Sequence, residues 1–472
     1  MLILTLLLAA CNLAGSELLV GWASTDITPE RPVSLAGQFY TRITKHVHDP
    51  ITATALAMES RSDGRAPEQA VMVSCDVVGI DKRLQEALRE RLRQTLPELD
   101  GRKVLLNATH THTAPLLREG WTEVPEGVMT PSEFRAFLTD RLSAAIAQAW
   151  RNRRTAGVSW ALSHAVIGSN RRIIYADGGA RMYGKTDVPE FTNIEGYEDH
   201  GVELLFFWDG DKKLTGIVLN VACPSQVVEN QSYVSADFWH DVRNELRKRY
   251  SKDLFVYAMT GAAGDQAPRV LFRKRAEENL RRRMGGVSET AEIARRLANA
   301  VDYVYDAAKG DIRTGVTFVH RVEDLRLPVR KVTDAEVEQA RKEYERLKNA
   351  PPAERNRFAL MSRHQAVIDR HKRQASDRDF PMELHVIRLG DVAIATNPFE
   401  LFLDFGIRMK ARSRAEQTLV VQLACDYAGY LPTARAVAAG GYGAEIPSNI
   451  VGPEGGQMLV DRTVEAINSM WE

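Results

Sequence analysis

Two histidines separated by a single residue are the most reactive pair in the sequence. His110 and His112 directly follow the apolar run 103–108 (KVLLNA), within the segment NATHTHTAP. In extended backbone, residues i and i+2 point to the same side. Both imidazoles can therefore reach one metal ion, or one can bind it while the other acts as an acid or base. Two histidines that only cap a strand end through backbone hydrogen bonds are the alternative interpretation.

Polar or reactive residues follow six apolar runs. Each run has the composition of a buried strand, and a polar side chain at its end is costly unless it is used or satisfied. An α/β sheet gathers such residues beyond the carboxyl ends of its parallel strands, where binding sites lie. The strand-end residues are Asp76, His110, His112, Cys223, Asp265, Glu400, Tyr427 and Tyr430.

A further polar cluster lies near the N-terminus. Residues 36–38 (AGQ) precede Arg42, His46 and His48, and Asp49-Pro50 favours a turn. The sequence allows this loop either to face the same pocket or to be an exposed polar loop. His320, His364 and His371 lie in strand-like or charged surroundings and are interpreted as structural or solvated.

The elements that must position these residues alternate between strands and helices. An apolar run at 71–78, an amphipathic stretch at 81–96 and the run 103–108 predict a parallel βαβ unit. We expect an α/β fold with a mixed, largely parallel sheet core and flanking helices. The charged segment 332–376, interrupted by Pro351-Pro352, predicts an inserted helical hairpin within about 331–380. Other predicted helices are 132–152, 237–250 and 288–309; other predicted strands are 157–166, 202–208, 214–221, 254–259, 384–389, 392–395 and 418–424.

Composition and charge exclude some functions. The chain has 472 residues, 62 basic and 62 acidic groups, and 44% hydrophobic residues. That hydrophobic share supports a sizeable core. A net charge of zero argues against a nucleic-acid partner, which usually requires a basic face. We expect a small-molecule, lipid or glycan substrate instead, and the oligomeric state stays open.

The first residues have the pattern of an export signal. The apolar stretch MLILTLLLAA ends at Cys11, and it is too short to span a bilayer. It predicts a signal peptide at 1–16, either a lipobox with a lipid anchor on Cys11 or an ordinary cleaved signal. We therefore expect an exported bacterial protein, periplasmic or anchored to the outer membrane, with one domain over 17–472. Cys75, Cys223 and Cys425 form no CxxC motif, so they predict buried thiols or at most one disulfide.

An ordered set of short motifs resembles the neutral/alkaline ceramidases. Residues 108–115 (ATHTHTAP) are similar to the ATHTHSGP-like segment of that family. Further similar pieces follow in the same order: 169–171 (SNR), 234–237 (VSAD), 264–268 (GDQAP), 398–401 (PFEL), 426–430 (DYAGY) and 441–444 (GYGA). The resemblance therefore covers most of the chain after the signal and implies a ceramidase catalytic-domain-like fold.

The resemblance also implies a zinc hydrolase that cleaves an N-acyl amide. Members of the family hold zinc with two His, one Glu and one Tyr. Carried over, His110, Glu400 and Tyr430 would be ligands. His112, Arg171 and Tyr442 would surround the scissile amide.

The sequence departs from the family pattern at two positions. The second His ligand falls fourteen residues before Asp237, and that position is Cys223. As a thiolate, Cys223 would be the fourth metal ligand; otherwise it is a buried structural residue and His240 could substitute. The family's serine nucleophile is replaced by Ala267.

Alanine cannot attack a carbonyl, so the expected nucleophile is a water molecule activated by the metal, with Asp265 or His112 as the base. The leading hypothesis is a secreted zinc-dependent amide hydrolase. One alternative is a hydrolase for a polar, carbohydrate-type or other N-acylated substrate, which Arg171 and Arg269 would suit. The other is a non-catalytic binding protein on the same scaffold.

Overall fold

The computed structural model describes residues 17–61, 66–351 and 354–472. The predicted signal peptide and its lipobox cysteine, Cys11, lie outside the described residues and stay predictions. Among the helices that are described, none combines the length and apolarity needed to cross a membrane.

The described chain alternates strands and helices along its whole length. The strands are β1 (Glu17–Asp26), β2 (Thr52–Arg61), β3 (Glu68–Cys75), β4 (Val104–Ala108), β5 (Arg154–Thr155), β6 (Gly157–His164), β7 (Ser169–Asn170), β8 (Arg172–Tyr175), β9 (Ala180–Met182), β10 (Phe191–Ile194), β11 (Gly201–Trp208), β12 (Leu214–Val221), β13 (Phe255–Thr260), β14 (Gln266–Ala267), β15 (Phe318–Pro328), β16 (Asp379–Leu389), β17 (Val392–Thr396), β18 (Glu400–Leu401), β19 (Gln417–Val421) and β20 (Tyr430–Leu431). The helices are α1 (Lys82–Thr95), α2 (Pro131–Arg151), α3 (Phe238–Arg249), α4 (Lys274–Arg283), α5 (Glu289–Gly310), α6 (Asp334–Lys348), α7 (Arg357–Arg373), α8 (Leu403–Arg412), α9 (Ala434–Ala439) and α10 (Pro453–Asn468).

Three sheets share one apolar core. Their strand orders are β4-β3-β2-β1-β5, β13-β12-β11-β6 and β15-β16-β17-β19. Leu105 of the first sheet, Tyr257 of the second and Ile387 of the third are fully buried in the same cluster. Fully burying one such side chain contributes about 1.5–3 kcal/mol, so this shared cluster is what joins the sheets. The other faces are covered by α1 and α2, by α3 and α5, and by α8 and α10, respectively.

Local sequence signals fix where the longer helices begin. Thr130 caps α2, its side chain accepts from the Glu133 amide, and the Glu133 side chain accepts from the Thr130 amide in return. Thr333 and Glu336 form the same reciprocal cap at the start of α6. Both caps satisfy amides that have no partner within the helix.

The sheets are mixed, but antiparallel pairs outnumber parallel ones, which corrects the expectation of a largely parallel core. Within the described ranges, four strand pairs are parallel: β3 with β4, β12 with β13, β17 with β19 and β18 with β20. Hydrophobic periodicity identifies strands but not their direction, and tight connections such as 209–213 between β11 and β12 return the chain antiparallel.

Two of the four parallel pairs place predicted site residues: β3 with β4, and β18 with β20. The unit β3-α1-β4 is parallel as predicted, and the predicted His110–His112 segment follows the end of β4.

In the range of the predicted insertion, α6 and α7 pack on each other around a small core of their own that includes Val337, Val367 and Ile446.

Candidate active site

The chain leaves β4 through a strained residue. His110 has φ 67°, a left-handed conformation that is uncommon for any residue except glycine. Its amide donates to the Val77 carbonyl, and its Nδ1 lies 2.5 Å from the Val78 carbonyl oxygen. The parallel pairing of β3 with β4 brings residues 77–78 beside it. This strain turns the His110 ring inward, where it is buried.

Three acceptor groups converge beyond β4. His110 Nε2 lies 3.4 Å from Glu400 Oε2 and 3.3 Å from His112 Nε2, and all three side chains are buried. Glu400 is placed by β18, which pairs with β20 so that Glu400 stands opposite Tyr430. The structure therefore brings together three of the predicted site residues and sets a fourth beside them.

Glu400 is held as a carboxylate. The Tyr427 hydroxyl donates to Glu400 Oε1 at 2.7 Å. Burial raises the pKa of Glu400, but His110, Arg171 and Tyr430 together lower that pKa to about 2. Burial raises the pKa of Tyr427 and of Tyr430 well above the usual value, and the nearby Glu400 charge adds to this. Both phenols are therefore protonated donors around the carboxylate.

Arg171 is the central donor of the site. One guanidinium nitrogen donates to the Gly264 carbonyl at 2.8 Å and to the Tyr430 hydroxyl at 3.1 Å, and the other to Gln226 Oε1 at 3.3 Å. Its backbone amide donates to the Asp265 carbonyl, next to the short β7–β14 ladder. Although burial lowers the pKa of Arg171, Tyr430, Tyr183 and Glu400 raise it well above normal.

The contacts of Arg171 also decide where His112 carries its proton. A guanidinium only donates, so the Gln226 oxygen must face Arg171 and the Gln226 amide nitrogen must donate to His112 Nε2, 2.8 Å away. The His112 proton then lies on Nδ1, which is 3.4 Å from Glu229 Oε2. Burial lowers the pKa of His112 to about 4, so the ring is neutral at pH 7.

The acceptors that remain around His110 Nε2 favour a cation beside it. His110 Nδ1 must donate to the Val78 carbonyl, so a neutral His110 has its lone pair on Nε2. The single lone pair of His112 Nε2 accepts from the Gln226 amide and also faces His110, and Glu400 adds a carboxylate oxygen. Nitrogen and oxygen acceptors in this arrangement suit a zinc ion, with Tyr430 adjacent. The residues present fit the metal that the sequence resemblance implies.

Two N-terminal residues hold this arrangement from one side. Arg42 is buried and donates to the backbone carbonyls of Ala36, His112, Glu229 and Gln231. Gly37 has φ +88°, and a Cβ there would lie 2.2 Å from the His112 ring. The predicted polar loop thus contributes the Arg42 side chain and the backbone around Gly37 to the surroundings of His112.

The histidines of that loop lie elsewhere. His46 and His48 pack against the Tyr233 ring, with centroids 5.4 and 4.7 Å apart. His240, the proposed substitute ligand, has Nδ1 3.9 Å from Asp49 Oδ1, and its Nε2 accepts from the Asn244 side-chain amide. None of these described contacts reaches the cluster of His110, His112 and Glu400, which we call the His110 cluster.

Cys223 has the environment of a structural thiol. It is fully buried in the apolar core between the second sheet and its helices, and its Sγ lies 3.4 Å from the Ile167 carbonyl and 3.7 Å from the Pro224 carbonyl. Carbonyls only accept, so these contacts require a protonated thiol. Burial raises the pKa of all three described thiols, so the contacts of Cys223, and not its burial, decide its role. All three described cysteines are free.

Two predicted acidic residues have structural partners. Asp265 accepts from the Leu403 amide and from the Asn170 side chain, both at 2.9 Å, which ties the Arg171 segment to the chain after Glu400. Asp76 accepts from both terminal nitrogens of Arg243. Their carboxylates are therefore used to position the site, and His112 is the better-placed base.

An aromatic and cationic rim surrounds the cluster. The Tyr442 ring lies 5.4 Å from that of Tyr430 and 5.7 Å from that of Phe39. Arg363, from helix α7, covers both Phe39 and Tyr442. On the other side Arg269 lies over Tyr183 and pairs with Glu229.

Sequence reasoning missed Gln226 and Glu229. Both follow the strand-end residue Cys223 within six positions, so the rule that strand ends carry site residues could have extended to them. Ala267, which replaces the family's serine, is fully buried in β14. Alanine has no nucleophilic group to supply from this position.

Comparison with known proteins supports the fold. No family model and no curated protein matches this sequence. Solved structures do match its fold. They include one titled "Ceramidase complexed with C2", with TM-score 0.68 and 16% identity over 97% of this chain and 75% of that one, and the neutral ceramidase from Pseudomonas aeruginosa, with TM-score 0.67 and 16% identity over 96% and 74%. The motif resemblance is thus confirmed at the level of the fold: the described chain has a divergent ceramidase-like fold.

Proposed function

We propose that this protein is a metal-dependent hydrolase that cleaves an N-acyl amide with an activated water molecule. The observation that carries the proposal is the convergence of His110 Nε2, His112 Nε2 and Glu400 Oε2, with Arg171 and Tyr430 as donors beside them. A zinc ion held by His110 and Glu400, with Tyr430 adjacent, would supply Lewis acidity and lower the pKa of a water molecule.

The chain's own residues supply the proton transfers and the electrostatics. His112 exchanges the Gln226 hydrogen bond at Nε2 for the proton of the attacking water and delivers that proton to the amine as the C–N bond breaks. Glu229, 3.4 Å from His112 Nδ1, stabilises the imidazolium between these steps. Arg171 and the Tyr430 hydroxyl stabilise the negative charge that develops on the carbonyl oxygen. This assigns His112 as the base; the contacts of Cys223 leave it out of the proposed ligand set.

The rim favours the polar alternative for the substrate. Arg363 and Arg269 each cover an aromatic ring at the site, so the surface next to the cluster combines flat apolar faces with cations. Such a surface suits an N-acyl group attached to a polar or anionic body better than a purely aliphatic chain. Export, predicted from residues 1–16 with either a lipid anchor on Cys11 or an ordinary cleaved signal, would place this activity outside the cytoplasm.

Elemental analysis and hydrolysis assays test the proposal together. We expect bound zinc, and faster cleavage of short N-acyl amines or N-acetyl amino sugars than of a long-chain ceramide. Preference for ceramide would overturn the substrate assignment. Metal without hydrolysis of any N-acyl substrate, or an active protein in which His110→Ala and Glu400→Gln keep full zinc and full rate, would overturn the site. Substrate binding with neither metal nor turnover would identify a binding protein.

A further inference from the structure

A second group of metal-ligand residues lies on the third sheet, apart from the contacts of the His110 cluster. Glu383 and His385 are two residues apart on β16 and point to the same face, and Cys425 follows β19. One ligand atom from each lies within 4.8 Å of the others. The Cys425 amide donates to the Leu106 carbonyl, and Cys425 has φ 63°. A strained backbone therefore holds the thiol toward β16.

The proton positions in this cluster follow from one backbone carbonyl. His320 Nδ1 lies 3.0 Å from the Gln69 carbonyl and must donate to it. A neutral His320 then accepts at Nε2 from His385 Nδ1, 3.0 Å away. A neutral His385 has its one ring proton on Nδ1, where it donates to His320. The remaining lone pair of His385, on Nε2, points at Cys425 and Glu383.

Two of the three distances within this cluster match those between neighbouring ligands of a tetrahedral metal site. His385 Nε2 lies 3.3 Å from Glu383 Oε2 and 3.5 Å from Cys425 Sγ. Zinc bonds of about 2.0–2.3 Å to N, O and S ligands place neighbouring ligand atoms about 3.3–3.7 Å apart. The nitrogen and the carboxylate oxygen are both acceptors, so a cation between them would satisfy both.

The surroundings supply the other features of a built site. His385 donates its one ring N–H, on Nδ1, to His320, which fixes the orientation of the ligating Nε2, as in metal-bound histidines. Arg89 donates to both Glu383 oxygens at 2.8 Å, so the carboxylate is held in place with lone pairs to spare. The Glu383 side chain is 26% exposed and His385 is fully buried, so an ion would enter from the Glu383 side.

We propose that Glu383, His385 and Cys425 form a second metal site, with the thiolate, imidazole and carboxylate ligands that zinc prefers. Its bound ion would link β16 to the segment after β19, two residues before Tyr427, whose hydroxyl donates to Glu400. The second site thereby stiffens the loop that supports the first. The proposal does not depend on the reaction at the first site.

Cobalt(II) is the probe, because a cobalt–thiolate bond gives a charge-transfer band that nitrogen and oxygen ligands do not. The experiment uses the protein with His110→Ala and Glu400→Gln, so that only the second site can bind. We expect one Co²⁺ per chain with a thiolate band, displaced by added Zn²⁺, and loss of both in Cys425→Ser. Cys75→Ser and Cys223→Ser, at two other buried thiols, are the matched controls and should keep the band.

Two outcomes would overturn the second site: no thiolate band, or a band that Cys223→Ser abolishes and Cys425→Ser leaves unchanged. Should Cys425→Ser fail to fold, His320→Gln serves instead, because it removes only the group that orients His385. We expect it to weaken Co²⁺ binding by about tenfold to a hundredfold. Unchanged affinity in this variant would contradict the proposed orientation.

Discussion

The His110–His112 pair and the His320–His385 pair make opposite use of a similar contact. In each pair, one histidine gives its Nδ1 proton to a backbone carbonyl and turns Nε2 toward its partner. His320 then accepts from His385 Nδ1 at 3.0 Å, so that contact is an ordinary hydrogen bond. His110 Nε2 instead faces the lone pair of His112 Nε2 at 3.3 Å, so no hydrogen bond joins two neutral rings and a cation is favoured there.

A single glutamine causes this difference. Gln226, oriented by Arg171, donates to His112 Nε2 and forces the proton to the far side of the ring. Within the described chain, no corresponding side-chain amide donates to His385 Nδ1, so that nitrogen keeps its proton. The chemistry of a histidine pair thus depends on the groups that fix its tautomers more than on the separation of the rings.

The largest expected effect is a change in zinc content that differs between variants of the two sites. Glu400→Gln removes a charged ligand from the first site, so we expect zinc to fall from two ions per chain to one and amide hydrolysis to fall to background. Glu383→Gln should remove the other ion and leave measurable hydrolysis. Elemental analysis beside an initial-rate assay checks this. If Glu400→Gln and Glu383→Gln removed the same ion, the proposal of two separate sites would be contradicted.

Next comes Arg171→Met, which removes the donor to both Tyr430 and Gln226. Losing one such transition-state donor costs about 10²–10³-fold in kcat. Steady-state kinetics check the prediction: the fall should appear in kcat, with bound zinc unchanged. A rise in KM at constant kcat would show that Arg171 only binds the substrate.

Gln226→Leu tests the tautomer argument directly. Without its amide donor, His112 is free to place its proton on Nε2, facing His110, and part of its capacity as a base is lost. We expect kcat to fall by about 10²-fold, within the range for general-base catalysis. Gln85→Leu is the matched control, since Gln85 is also buried but donates to the Val104 carbonyl in the first sheet. Equal effects of both changes would reduce Gln226 to a packing residue.

The smallest effect is expected for Cys223→Ser. The hydroxyl can donate to the Ile167 carbonyl in place of the thiol, so we expect unchanged zinc and a cost of about 1–2 kcal/mol for a more polar group in the apolar core. Chemical denaturation and elemental analysis measure the two quantities. Loss of zinc from the first site would restore Cys223 as a ligand, as the sequence resemblance suggests.

Strand and helix positions were readable from the sequence because their signals are local. The run predicted at 214–221 is β12, the helix predicted at 288–309 is α5 within one residue at each end, and the predicted βαβ unit is β3-α1-β4. Strand direction was not readable, because an apolar run has the same pattern in either orientation. The sheets are accordingly more antiparallel than the sequence suggested.

The sequence by itself determined the residue types available for chemistry: the His110–His112 spacing, Glu400 and Tyr430 after apolar runs, and an alanine in place of a nucleophilic serine. Only the tertiary structure decided which of these act together. Arg171, Glu400 and the segment with Gln226 and Glu229 are far apart in sequence, and the proton on His112 depends on the contacts of Arg171, Gln226 and Glu229 together. Side-chain pairing over such sequence distances is set by packing of the three sheets, which no local pattern records.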